Sequence, residues 1–110
     1  MNDRRPIFVF GSNLAGKHAG GAARHALDEC GAVWGHGEGL QGESYALPTM
    51  DAQCRPLLLS SIKAHVETFI AFAAAHPELQ FQVTPVGCGI AGFKHSEIGP
   101  MFARAPANCL

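Results

Sequence analysis

The glycines of this chain are concentrated in two stretches, and each stretch follows a short apolar run. Nine of the 13 glycines lie between Gly11 and Gly42, and the other four lie between Gly87 and Gly99. The apolar runs that precede them are residues 7–10 and 81–86. Glycine-rich turns at the carboxyl ends of strands are where open α/β sheets bind phosphate groups, because no Cβ blocks the ligand's approach to the backbone. The pattern therefore favours an α/β sheet and predicts a nucleotide-type ligand.

Size and composition indicate one domain with a substantial core. The 110 residues leave room for a single domain, residues 1–110. Hydrophobic residues make up 47% of the chain and charged residues only 15%. So little charge on a small protein predicts a deep ligand cleft or a surface that is covered in a homo-oligomer.

Charge and cysteine usage exclude several classes of partner. A net charge of −1 without a long basic cluster argues against direct nucleic-acid binding. No apolar run reaches the roughly 18 residues of a membrane span, and the N-terminal residues lack a secretory pattern, so we expect a cytoplasmic protein without a membrane partner. The four cysteines are scattered and lack metal-ligand spacing, which predicts reduced thiols and neither a metal nor a cofactor.

Strand and helix patterns alternate along the chain. The predicted strands are residues 7–10, 44–49 (stopped by Pro48) and 79–86, and the predicted helices are 22–30, 58–76 and a short one from His95 towards Arg104. Residues 11–21, 32–42 and 50–56 are predicted as loops. A last strand begins at 108–110, where the sequence stops, as in a domain truncated at its C-terminus. The alternation predicts a three-layer α/β/α domain with a mostly parallel sheet.

The second glycine stretch matches the pattern G-x-G-x-x-G from Gly87 to Gly92. Backbone N–H groups in such a turn can hold a diphosphate, although a tight strand-to-helix turn without a ligand has the same sequence. In the first stretch, Asn13 offers a donor and an acceptor to a ribose hydroxyl or, alternatively, caps a turn. The helix that begins after Gly20 and Gly21 would favour an anion at its N-terminus.

Few residues suggest themselves as acid, base or nucleophile. Glu38 and His36 lie in a glycine-rich loop, and His18 and His95 flank the two glycine stretches. Cys88 sits between two glycines, where it is either a nucleophile or a small core side chain.

The order of these elements and motifs resembles that of a macrodomain, and more closely that of small phage and bacterial proteins with a macro-like fold. The resemblance implies that ADP-ribose or a related diphosphate binds between the two glycine loops, with Asn13 near the distal ribose and Phe93 covering it. A counterpart of the acidic residue that reads adenine in macrodomains is missing. The implied ligand-binding residues are Gly11, Ser12, Asn13, His18, Gly20, Gly21, Gly87, Cys88, Gly89, Ile90, Ala91, Gly92 and Phe93.

Three functions follow as hypotheses. Binding of the ligand comes first, and hydrolysis of an ADP-ribosyl bond is compatible with it, because some macrodomains achieve this mainly by positioning a water molecule. The second is a dimeric interaction module of phage or bacterial origin with a vestigial site, for which the apolar helix 58–74 and the low charge argue. The third is a cysteine-dependent enzyme that uses Cys88 and a loop histidine.

Overall fold

The fold is described by a computed structural model, which covers residues 5–88 and 91–109. The strands are β1 (Ile7–Asn13), β2 (Gly39–Gln41), β3 (Ser44–Met50) and β4 (Phe81–Val83), and the helices are α1 (Gly21–Glu29), α2 (Leu59–Ala75) and α3 (His95–Ile98), followed by a 3-10 helix (Gly99–Phe102). The sheet order is β2-β3-β1-β4. Strands β3, β1 and β4 are parallel, and β2 is antiparallel to β3. The prediction of an α/β domain with a mostly parallel sheet is confirmed.

Alternate residues of the central strands enter two different hydrophobic clusters. Val9 and Leu47 pack with the α2 residues Ile62, Val66 and Phe69. Phe10 and Ala46 pack instead with Ala23, Ala26 and Cys30 at α1. Successive side chains of a strand point to opposite faces of a sheet, so strands that are apolar at nearly every position supply both clusters.

Strand β1 is longer than predicted. It continues through Gly11 and Ser12 to Asn13, where β3 still pairs with it at Met50. The prediction of a loop beginning at Gly11 is therefore wrong for its first three residues. Gly11 allows β1 to pack closely against the segment after β4, because a Cβ there would lie 3.2 Å from the backbone nitrogen of Gly87.

The bounds of two other predicted strands need correction. Strand β3 runs through Pro48 to Met50, although Pro48 was predicted to stop it. β2 pairs only with Ser44–Ala46, so the missing N–H of Pro48 removes no hydrogen bond from that edge. Strand β4 spans only Phe81–Val83 of the predicted 79–86.

The loop and C-terminal predictions also change in detail. Residues 32–42 were predicted as a loop with extended pieces, and one such piece is β2, a three-residue strand whose partner is β3. The predicted last strand amounts, within the described residues, to one parallel bridge between Phe81 and Cys109.

The helices agree closely with their predicted bounds. Gly31 follows α1 with a φ of 75°, a left-handed conformation that suits a glycine after a helix. The apolar face of α2 is buried as predicted from Ile62 to Ala73. Leu58 is the exception: it precedes the helix and the residue is 75% exposed. Within residues 5–88 and 91–109, no helix is long and apolar enough to cross a membrane.

Candidate functional site

A cavity of about 570 Å³ lies where the two glycine-rich stretches meet. The carboxyl ends of β1 and β3 form its floor, the start of α1 forms one wall, and the segment after β4 forms the opposite wall. We call it the larger cavity. Its described lining residues are Gly11, Asn13, Lys17, Ala19, Gly20, Gly21, Ala22, Ala23, Thr49, Met50, Cys54, Pro85, Val86, Gly87, Cys88, Ala91 and His95.

The N-terminus of α1 opens directly onto this cavity. The first helical residues, Gly21 to Ala23, all line it. Their amide N–H groups have no carbonyl partner within the helix. The N-cap is Gly20, so no side chain occupies these donors, and the first turn carries no acidic residue. These N–H groups, together with the helix dipole, are available to an anion.

The charged groups around the larger cavity also suit an anion. Lys17 lines it, and among its described lining residues there is no aspartate or glutamate. The backbone of Lys17 is held by Asn13, whose Oδ1 accepts from the Lys17 N–H at 2.9 Å and whose Nδ2 donates to the Lys17 carbonyl at 3.0 Å. The side chain of Asn13 therefore shapes the loop that carries the lysine.

Close backbone packing against residues 35–37 fixes the position of this loop. Gly16 has a φ of 71°, and a Cβ there would lie 2.3 Å from the His36 backbone nitrogen. A Cβ on Gly37 would lie 2.5 Å from the Asn13 carbonyl oxygen. The Gly35 N–H donates to the Gly16 carbonyl at 2.9 Å. The glycines of 35–37 thus support the loop of Lys17 rather than line the cavity.

The second glycine stretch forms the opposite wall. Gly87 has a φ of 76° and Gly92 a φ of 82°, so both turns need glycine. The Phe93 N–H donates to the Gly87 carbonyl at 2.8 Å and closes this segment. Gly89 and Ile90, two of the predicted ligand-binding residues, lie outside the described residues.

A smaller cavity of about 390 Å³ adjoins the larger one. Both cavities are bordered by Pro85, Val86, Cys88 and His95. The rest of its described wall is formed by Val83, Thr84, Ile98, Gly99 and Phe102.

The structure brings seven of the predicted ligand-binding residues to the larger cavity: Gly11, Asn13, Gly20, Gly21, Gly87, Cys88 and Ala91. Four others are not among its described lining residues. The Ser12 hydroxyl donates to the Gly37 carbonyl at 2.5 Å, and the Phe93 side chain packs against the core. His18 is fully buried with its ring edge-on to Phe10 at 5.2 Å, and Gly92 is exposed.

Two of the three catalytic candidates lie elsewhere. The Glu38 carboxylate pairs with His65 Nδ1 at 2.7 Å, which joins the glycine-rich loop to α2. His36 is exposed beside the loop of Lys17 and is not among the described lining residues of either cavity. Cys88 alone of the three lines the larger cavity, and His95 lines it as well.

Sequence reasoning missed Lys17, Thr49 and Cys54 as lining residues. Cys54 has a φ of 61°, in a turn held by Asp51, whose Oδ1 accepts from the Gln53 and Arg55 N–H groups at 2.9 Å each. These hydrogen bonds lower the pKa of Asp51. The sequence offers one signal for Lys17, which is the single cation of the predicted loop 11–21.

Within the described part of the chain, no group of three or more histidine, cysteine, aspartate or glutamate side chains is placed to hold a metal ion. All four cysteines are free thiols. Comparisons with known protein families, with curated proteins and with solved structures find no match to the chain.

Proposed function

We propose that the chain binds a phosphate-bearing, nucleotide-type ligand in the larger cavity, with ADP-ribose as the first candidate. The proposal includes a three-layer, macro-like arrangement, which the separate α1 and α2 core clusters support. A cytoplasmic location is also part of it, in keeping with four free thiols. The observation that carries the proposal is the convergence of both glycine-rich stretches on one cavity.

In this proposal, each wall of the cavity contributes groups that contact the ligand. The N–H groups of Gly21, Ala22 and Ala23 would hold a phosphate, and the Lys17 ammonium would neutralise part of its charge. The turn that begins at Gly87 would approach the second phosphate from the other side. A cavity of about 570 Å³ is within the size range of small-molecule sites.

Binding is proposed in preference to a defined hydrolytic reaction. Hydrolysis needs a group that activates or positions water beside the scissile bond. Glu38, the acidic candidate, is paired with His65 away from the larger cavity. Among the described lining residues, Cys88 and His95 are the candidates of this kind.

The test uses Ala22, an exposed residue in the first turn of α1 that lines the larger cavity. Ala22→Glu places a carboxylate where the phosphate would bind, and Ala22→Gln is the neutral control of nearly equal size. A glutamate in the first turn interacts favourably with the helix dipole by about 0.3–1 kcal/mol, so the fold is retained.

Calorimetry with ADP-ribose and ribose 5-phosphate then measures affinity. We expect Ala22→Glu to bind at least about tenfold more weakly than Ala22→Gln, which corresponds to about 1.4 kcal/mol. Equal affinities in the two variants would show that the anion does not lie at this helix. If the unsubstituted chain binds neither ligand, the proposed function fails.

A second candidate function is self-association through an apolar surface. Leu14, Val33, Trp34 and Leu40 are each more than 40% exposed, and Trp34 reaches 55%. The apolar face of α2, expected to support this function, is instead buried in the core from Ile62 to Ala73. Sedimentation velocity on the unsubstituted chain and on Trp34→Ser tests it, since a dimer through this surface should weaken in the variant.

A further inference from the structure

We propose that Cys54 and Cys88, the two thiols that line the larger cavity, form a modification site for small disulfides that carry a net negative charge. The inference goes beyond the proposed function, because it concerns covalent chemistry of the protein's own side chains. Glutathione disulfide, whose carboxylates outnumber its ammonium groups, is the probe of this chemical class. The reaction is an exchange that leaves a mixed disulfide in the cavity.

The two thiols reach the cavity from different parts of the chain. Cys54 lies in the turn after β3 and Cys88 in the segment after β4, and both line the larger cavity. Cys54 is exposed, whereas Cys88 is half-buried and packs against the core. Attack on a disulfide requires access to the sulfur. Cys54 is therefore the first acceptor, and Cys88 is the slower one.

The other two cysteines provide an internal comparison. Cys30 and Cys109 are not among the described lining residues of either cavity. Burial raises the pKa of both thiols, so they keep their protons at neutral pH. The thiolate is the form that attacks a disulfide. Exchange at the two cavity thiols should therefore be faster than exchange at Cys30 and Cys109.

The charges around the cavity select the class of disulfide. Lys17 and the first residues of α1 line the cavity, and its described lining contains no carboxylate. The carboxylate nearest to Cys54 along the chain, that of Asp51, is paired with Arg55 at 3.3 Å. A space of about 570 Å³ is on the order of 10 Å across, about one Debye length in 0.1 M salt, so the Lys17 charge acts on both thiols. An anionic reagent is therefore attracted to these thiols.

The exchange balances without a further reactant. The thiolate of Cys54 attacks one sulfur of glutathione disulfide, so that a new S–S bond forms and the original S–S bond breaks. The proton of the cysteine goes to water, and the electron pair of the broken bond leaves with glutathione thiolate, which takes up a proton. The cysteine is oxidised and one half of the reagent is reduced. The attached tripeptide then occupies the cavity and excludes ADP-ribose, a consequence that rests on the proposed function.

The experiment compares glutathione disulfide with the neutral bis(2-hydroxyethyl) disulfide near neutral pH. Mass spectrometry of the cysteine-containing peptides measures the rate of modification at each of the four thiols. We expect Cys54 to react about tenfold faster than Cys30 and Cys109 with either reagent, and Cys88 to react at a rate between them. Thermal denaturation of each variant used below serves as a check on folding.

Two lysine variants test the selection by charge. Lys17→Gln removes the cation from the cavity, and Lys63→Gln is the matched control, because Lys63 is exposed on α2 and is not among the described lining residues. The measured quantity is the ratio of the rate with the anionic reagent to the rate with the neutral one at Cys54. Lys17→Gln should lower this ratio about threefold, and Lys63→Gln should leave it within about 1.5-fold.

The outcomes separate this proposal from the proposed function. Equal rates at all four thiols would overturn the modification site, and a ratio that Lys17→Gln leaves unchanged would overturn selection by charge. Loss of ADP-ribose binding after modification, restored by dithiothreitol, supports the blocked cavity, and a modified chain that still binds ADP-ribose contradicts it. If the unmodified chain does not bind ADP-ribose, the proposed function fails while the rates still decide the modification site.

Discussion

Removal of the Asn13 side chain should destabilise the protein and weaken binding at the proposed anion site. Asn13 ends β1 and is only 4% exposed. Its amide makes two hydrogen bonds to the backbone of Lys17, at 2.9 and 3.0 Å. Asn13→Ala removes both bonds and leaves the part-buried N–H and carbonyl of Lys17 without these partners.

The size of the effect follows from these two bonds. A hydrogen bond of this kind contributes about 1 kcal/mol net, so the unfolding free energy should fall by about 2 kcal/mol. For 110 residues the entropy of unfolding is about 0.2 kcal/mol per kelvin, which converts the loss to a fall in Tm of about 9 °C. The affinity for ADP-ribose should fall as well, because Lys17 loses its fixed backbone position.

Thermal and urea denaturation measure the loss of stability, and two control variants test its cause. Asn13→Asp keeps the acceptor for the Lys17 N–H and loses the donor, so its Tm should lie between those of Asn13→Ala and the unsubstituted chain. Thr68→Ala removes an exposed hydroxyl that bonds the Ala64 carbonyl within α2 and should change stability by less than about 0.5 kcal/mol. A Tm for Asn13→Ala within 2 °C of the unsubstituted chain would refute the role assigned to Asn13.

Two further predictions concern the surroundings of the site. Gly16→Ala should lower the unfolding free energy, measured by urea denaturation, by more than about 1 kcal/mol. The reason is that Gly16 has a φ of 71° and a Cβ there would lie 2.3 Å from the His36 backbone nitrogen. Unchanged stability would show that the loop does not pack against His36. Burial raises the pKa of Tyr45 from 10 to about 12, so its contribution to stability is complete below pH 10 and is lost as the pH rises towards 12. An ultraviolet titration with the Tyr45 midpoint at pH 10 would contradict this.

Local sequence patterns were sufficient for the helices, for the approximate positions of β1, β3 and β4, and for the general position of the larger cavity. The spacing of apolar residues predicted α2 to within one residue at each end, and glycine after an apolar strand predicted both walls of the larger cavity. These signals are local, because helix periodicity and the conformational freedom of glycine depend on neighbours in the chain. The alternation of strands and helices was likewise enough to predict a mostly parallel sheet.

The roles of individual polar side chains were decided by tertiary structure. Glu38 and His65 are 27 residues apart in sequence, and only the packing of α2 beside the glycine-rich loop makes them a pair. Pro48 is accepted within β3 because β2 is too short to reach it. The smaller cavity exists because the helical segment of Ile98 and Phe102 packs beside the end of β4. Such contacts join distant parts of the chain, so they cannot be predicted from a pattern of neighbouring residues.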